Sequence, residues 1–281
     1  MPELPEVETI ARGLHQRVAG DVIQSVWLSE KPEPLKSRPE DIVGVLEHSR
    51  IERVRRVGKH IVFDLQRVER SRRAPIQQGQ WIVHLGMTGR MQVTAPEAEV
   101  APHTHAIVKL ASGRELRFVD PRRFGRLAVS RRSASLPGGF QAAGDEPLES
   151  QAERFVELFR GRKTPIKSAL LNQKLLSGVG NIYADESLFR AGIRPRRRAA
   201  SLTRDQLRKL HAAIQQVLRE AIALGGSSIS DYVDADGEEG FFQLQHRVYG
   251  REGELCLVCK TLVKRIVIAG RSSHYCPVCQ K

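Results

Sequence analysis

The sequence predicts an α+β chain of more than one domain, and three observations carry that prediction. Residues 1 to about 130 hold short β-branched apolar runs, such as Ile61-Val62-Phe63 and Trp81-Ile82-Val83, broken by glycine-containing turns. From about 150 to 225 the apolar residues recur at three and four positions, as in Phe155, Leu158 and Phe159 and then Leu207, Leu210, Ile214, Val217 and Leu218. All four cysteines are confined to two CxxC pairs between Cys256 and Cys279.

Taken in order, the elements are a mainly β half over 1–132, a linker over 133–149 and a helical part over 150–225. The breaker cluster Leu136-Pro137-Gly138-Gly139 marks the linker as a hinge. The arginine-rich stretch 67–80 reads as a solvent-exposed loop between two strands. Residues 225–240 are rich in glycine, serine and aspartate, and the stretch is too long for a simple connector, so a functional loop is expected. In the terminal segment each CxxC forms a tight knuckle, and two knuckles complete a tetrahedron. Cys256, Cys259, Cys276 and Cys279 are therefore expected to hold one structural zinc ion with no open catalytic position. Thr261–Ile268 and the chain after Ala269-Gly270 read as two strands around a turn, which makes the segment a zinc ribbon.

A chain of 281 residues with 41% hydrophobic content can bury one large core or two modest ones. Its 45 Lys and Arg exceed 32 Asp and Glu, giving a formal charge of +13 that favours a polyanionic partner, nucleic acid first. No stretch approaches the roughly 18 uninterrupted apolar residues of a membrane span, and the N-terminus lacks a basic-then-apolar secretory layout. A cytoplasmic protein with no membrane partner is the expectation.

Six features occur in a definite order: Met1-Pro2-Glu3-Leu4-Pro5-Glu6-Val7-Glu8, Gly58-Lys59-His60, His84-Leu85-Gly86-Met87-Thr88-Gly89, Asp120-Pro121-Arg122-Arg123-Phe124-Gly125, Gly178-Val179-Gly180-Asn181-Ile182-Tyr183 and the terminal cysteine pairs. The series resembles the bacterial formamidopyrimidine-DNA glycosylases, and the resemblance covers essentially the whole chain. It implies an N-terminal β-sandwich with flanking helices over 1–132, a helix-two-turns-helix domain over 150–225, a lesion-recognition loop over 226–246 and the zinc ribbon over 247–281. The implied activity is that of a monomer on damaged double-stranded DNA, which excises oxidised purines (8-oxoguanine and formamidopyrimidines) and nicks the strand by β,δ-elimination.

The chemistry at the N-terminus is consistent with that implication. With Met1 removed, Pro2 presents a secondary amine; an α-amino group titrates near ~8, so a free-base fraction exists at neutral pH without severe perturbation. Attack at the sugar C1′ would displace the base and leave an iminium that acidifies the C2′ proton. The resemblance assigns proton transfer to Glu3 with support from Glu6, a catalytic cation to Lys59, and assistance of δ-elimination to Arg271 at the ribbon tip. It assigns filling of the vacated stack to Met87, Arg122 and Phe124, and DNA contacts to His103, Arg162, Lys167 and Asn181. Extraction of a base costs a few kcal/mol, and inserted side chains offset it. Two other readings stand beside this one. One is an endonuclease VIII-like enzyme for oxidised pyrimidines, whose opening usually has glycine where this chain has Leu4. The other is a non-catalytic zinc-ribbon protein that only binds damaged DNA.

Overall fold

The computed structural model describes residues 1–68, 78–132, 139–228 and 240–281. Residues 69–77 of the arginine-rich stretch, 133–138 of the expected linker and 229–239 of the expected lesion loop lie outside the described residues. The chain divides into two units: Met1–Gln141 with Ser227, Ser228 and Gly240, and Ala142–Gly226 with Phe241–Lys281.

The first unit begins with helix α1 (Leu4–Val18). Pro5 is tolerated in its first turn because the missing N–H has no helical partner there. Leu4, Val7, Ile10, Ala11, Leu14 and Val18 form its buried stripe. Strand β1 (Ile23–Leu28) and helix α2 (Pro39–Leu46) follow, then β2 (Ser49–Val57), β3 (His60–Arg67), β4 (Gln78–His84), β5 (Arg90–Thr94), β6 (Thr104–Leu110), β7 (Glu115–Val119) and β8 (Arg126–Arg132). They form two four-stranded sheets in the orders β1-β6-β7-β5 and β2-β3-β4-β8, every pairing antiparallel.

Both sheets and both helices feed one apolar core. At its centre Phe63 and Trp81 sit opposite each other on β3 and β4 with ring centroids 4.8 Å apart. Each such side chain removed from water contributes about 1.5–3 kcal/mol. That core fixes the strand ends, and hence three connections: Gly58-Lys59 between β2 and β3, residues 85–89 between β4 and β5, and residues 120–125 between β7 and β8.

The second unit holds α3 (Ala152–Phe159), α4 (Ile166–Leu170), α5 (Asn181–Ala191) and α6 (Arg204–Ala223), with α3 and α5 packed on α6. Thr203 and Gln206 cap α6 reciprocally, and α5 ends at Gly192 with φ +72°. Helix α4 ends at Leu170, and 172–180 is built of turns and bends with a single bridge from Leu176 to Asp145. Asn172 is responsible: its side chain accepts the Lys174 N–H at 3.0 Å, the local bond by which asparagine replaces helix with turn. Gln173 then spans the next turn, donating to the Val179 carbonyl at 2.7 Å and accepting from the Gly178 N–H at 2.9 Å.

The ribbon is the hairpin of β9 (Lys264–Ile268) and β10 (Arg271–Tyr275). Ala269 and Gly270 both have positive φ, +47° and +75°, as a two-residue turn matched to strand twist requires. Among the described residues no helix is long and apolar enough to cross a membrane.

Candidate active site and nucleic-acid interface

Pro2 is buried behind an exposed Met1 and precedes Glu3, the N-cap of α1. Glu3 and Glu6 are both buried. The Glu6 carboxylate holds this end of the chain with two charge-assisted bonds: Oε2 accepts the Glu3 N–H and Oε1 accepts the Ser227 N–H, each at 2.8 Å. Glu6 thus fixes both the backbone on which Pro2 and Glu3 ride and the residue from which the glycine-serine stretch departs.

Lys59 is buried in the β2–β3 turn, where Gly58 takes φ +59°. Arg56 ties that turn to α1: its Nε donates to Glu8 at 2.8 Å and its Nη1 to the Gly58 carbonyl at 3.2 Å. Beside Lys59, His60 faces His84 with ring centroids 4.9 Å apart. Burial, followed by the neighbouring His60 and the cations Arg126 and Lys59, pulls His84 down to about 4; burial also lowers His60. A neutral His84 suits its geometry, because Nδ1 accepts the Gly86 N–H at 3.1 Å.

The three residues expected to fill the stack are all outside the core. Met87 is 41% and Phe124 54% exposed, and the exposed Arg122 guanidinium lies 4.9 Å above the Phe124 ring. His103 is exposed in the turn before β6 with φ +64°. The two loops carrying the trio meet backbone to backbone: a Cβ on Gly86 would lie 2.6 Å from Phe124 and Gly125 main-chain atoms.

In the second unit Arg162 is exposed, its Nε donating to the Leu158 carbonyl. Asn181 opens α5, with Nδ2 donating to the Ser272 hydroxyl at 3.3 Å. Arg271 is exposed at the first position of β10. The expectation for Lys167 is corrected. Its side chain is 0% exposed, with Nζ 2.7 Å from the equally buried Asp185 and donating to the Ser272 carbonyl at 2.6 Å, so it does not face solvent where a phosphate would lie. A lysine among apolar helix residues is satisfied internally here by a carboxylate one helix away.

That carboxylate and its neighbour were not singled out in the sequence. Asp185 also accepts the His274 N–H at 2.8 Å, which ties β10 to α5. Glu186 is buried and accepts the N–H groups of Arg247, Val248 and Tyr249 at 2.9, 3.0 and 2.9 Å; burial raises its pKa against those bonds. An Asp-Glu pair inside a helix ordinarily means a solvated face, so only its apolar neighbours Tyr183, Leu188 and Phe189 hinted at burial. The Sγ atoms of Cys256, Cys259, Cys276 and Cys279 all lie within 4.8 Å of one another, with pairs at 3.3 and 3.9 Å. Four thiolates at about 2.3 Å from one zinc ion would be about 3.8 Å apart, so the donor set fits a closed tetrahedral site.

Residues 1–127 match the formamidopyrimidine-DNA glycosylase N-terminal domain, and residues 143–233 match the H2TH domain of the same enzymes. The chain belongs to the formamidopyrimidine-DNA glycosylase family. Residues 253–281 match the zinc finger found in FPG and IleRS, the segment that holds the four cysteines. The formamidopyrimidine-DNA glycosylase of Solibacter usitatus is 43% identical over 282 residues, covering all of both chains. Among solved structures, the MutM (Fpg) protein of Thermus thermophilus superposes with a TM-score of 0.83 at 42% identity, over 99% of this chain and 98% of that one. The Lactococcus lactis Fpg mutant G226P in complex with Fapy-dG-containing DNA gives a TM-score of 0.88 at 33% identity over all of both chains. The α+β architecture, the helix-two-turns-helix segment and the four-cysteine zinc finger are those of the family.

Proposed function

We propose that this chain is a bifunctional DNA glycosylase and AP lyase of base excision repair, acting as a monomer on oxidised purines in double-stranded DNA in the bacterial cytoplasm. The observation that carries the proposal is the head of α1, where Pro2 and Glu3 sit on a backbone pinned by Glu6 in a chain related to these enzymes along its whole length.

With Met1 removed, the Pro2 nitrogen attacks C1′ and the bond from C1′ to the base breaks. The base leaves with a proton, and Glu3 handles proton transfer at the sugar. The C1′–O4′ bond then opens, O4′ taking a proton and the proline nitrogen losing its own, which gives an iminium whose C2′ proton is acidic; loss of that proton expels the 3′ phosphate, and a second elimination expels the 5′ phosphate. Lys59, fixed at its turn by Arg56 and Gly58, is the cation beside the reacting sugar, and Arg271 assists the second elimination. Glu6 keeps the nucleophile's backbone and Ser227 in place. Met87, Arg122 and Phe124 occupy the gap left by the extruded nucleotide, where an arginine can bond the orphaned base and a phenylalanine can wedge a base step. His103, Arg162 and Asn181 hold phosphates, while Lys167 supports the ribbon from within. Zinc is structural, since four thiolates leave it no open position.

Single-turnover incubation with duplexes carrying either 8-oxoguanine opposite cytosine or an oxidised pyrimidine tests this reading. Excision and nicking at the purine lesion, leaving phosphates at both ends of the gap, is the expected result. Action on the pyrimidine lesion alone would replace it with the endonuclease VIII-like reading, and binding without cleavage by a protein with a free Pro2 would leave a damage-binding protein.

A further inference from the structure

Asp120 follows the last residue of β7 and is 0% exposed. Among the described residues no cationic side chain forms an ion pair with it. A buried carboxylate without a cation carries a desolvation penalty of several kcal/mol that only hydrogen-bond donors can offset. The donors here are specific. Oδ1 accepts the Thr88 hydroxyl at 2.6 Å and the Arg122 N–H at 3.3 Å, and Oδ2 accepts the Gly125 N–H at 2.7 Å. The main chain of Asp120 is engaged too: its N–H donates to the His103 carbonyl at 3.0 Å, and its carbonyl lies 3.0 Å from Nε2 of buried His105.

Four of these bonds end at or beside a residue expected to touch DNA. Thr88 follows Met87, Gly125 follows Phe124, and Arg122 and His103 are bonded through their own backbone. We propose that Asp120 is the positioning residue that holds Met87, Arg122, Phe124 and His103 in one register for insertion into the duplex. The inference rests on the glycosylase reading above.

Two features show that the register is imposed and not merely available. His103 and Arg123 take φ of +64° and +57°, a region that side chains rarely adopt and that surrounding bonds must enforce. Gly125 has no room for a side chain, since a Cβ would lie 2.5 Å from the Phe118 ring and 3.0 Å from Asp120 Oδ2. With Gly86 similarly confined, the loops 85–89 and 120–125 are locked together, and the Thr88 hydroxyl is the side-chain link from the first loop to the carboxylate.

The test uses Thr88→Val, which removes one hydroxyl and keeps the shape, and Asp120→Asn, which sets an amide against N–H donors. Three readouts are taken on protein with full zinc content and a cooperative unfolding transition well above the assay temperature: excision of 8-oxoguanine from a duplex, nicking of a ready-made abasic site in a single strand, and fluorescence of 2-aminopurine placed opposite the lesion. Nicking of the single strand needs neither base extrusion nor a filled gap.

The expected result is excision slowed by about 10- to 100-fold, the scale of a misplacement near 1 Å. Abasic nicking stays at the wild-type rate and the 2-aminopurine response is diminished. If Asp120→Asn does not fold, Thr88→Val alone decides. Wild-type excision by folded Thr88→Val, or an equal fall in excision and abasic nicking, overturns the inference and leaves the glycosylase reading standing. Wild-type protein that cleaves neither substrate overturns both.

Discussion

The two units hold their exposed working residues by different means. The first builds on a core fed by two sheets and two helices, and adds carboxylates that collect backbone N–H groups: Glu6 at the head of α1, Asp120 between the loops. Among the described residues the ribbon's buried apolar cluster is Phe189, Val248, Cys256, Val263 and Cys276, with Cys259 and Cys279 packed against it. It relies instead on four thiolates and on Asp185 and Glu186 reaching from α5. A large core can set loops through side-chain and backbone hydrogen bonds alone. A small one uses the same buried carboxylates and adds a metal site.

Zinc removal should separate the two most sharply. Structural zinc in small domains is worth about 10–16 kcal/mol, so chelation should expose the amides of 253–281 to hydrogen exchange while those of β2, β3 and β4 keep their protection. Equal loss of protection in both would erase the contrast.

Next in size is the buried pair in the second unit. Lys167→Met leaves Asp185 buried without its cation, and such breakage costs about 3–5 kcal/mol. Arg162→Ala at an exposed site should cost no more than about 0.5 kcal/mol. Denaturant titration of the two variants decides whether Lys167 acts within the fold; similar small losses would return it to the surface contacts.

Glu6→Gln tests the corresponding device in the first unit. One acceptor survives and an amide faces the other N–H, so a loss of about 1–3 kcal/mol is expected, read as a fall in unfolding temperature. Unchanged stability would mean that the head of α1 is held by its apolar stripe alone.

The smallest effect is a pH dependence. His84 is pulled from the ordinary 6.5 to about 4, so below 6.5 the unfolded chain binds a proton that the folded one refuses. The stability associated with neutral His84 is complete above 6.5 and is lost as pH falls toward 4. His84→Gln should flatten the fall of unfolding temperature between those values; His60, His211 and His246, also lowered, add slope of the same sign, and Glu186, raised by burial, adds the opposite. An unchanged slope would remove His84 from the list of groups buried as neutral.

Local pattern revealed what local physics decides. The strands around Phe63 and Trp81, the α6 stripe and the cysteine tetrahedron follow from period, run length and spacing. Met87 and Phe124 are exposed although both side chains are apolar and ordinarily internal; for both, the resemblance is what implies it, and Gly86 and Gly89 around Met87 agree with a turn there. Lys167 went the other way, because nothing near it in sequence shows that Asp185 lies 2.7 Å from its Nζ. Asp120 was visible as a letter of the DPRRFG run, yet its bonds span residues 88 to 125 and exist only once β4, β7 and β8 have set their loops. Long-range polar partners are a property of the assembled backbone, while hydrophobic period is written locally.

The most direct test of the central claim is borohydride reduction of the protein mixed with an 8-oxoguanine duplex, followed by proteolysis and mass mapping of the adduct. Pro2 as nucleophile predicts a stable crosslink on the N-terminal peptide beginning at Pro2, strongly reduced in Pro2→Gly. A crosslink on Lys59 or another lysine, or undiminished trapping by Pro2→Gly, would contradict it.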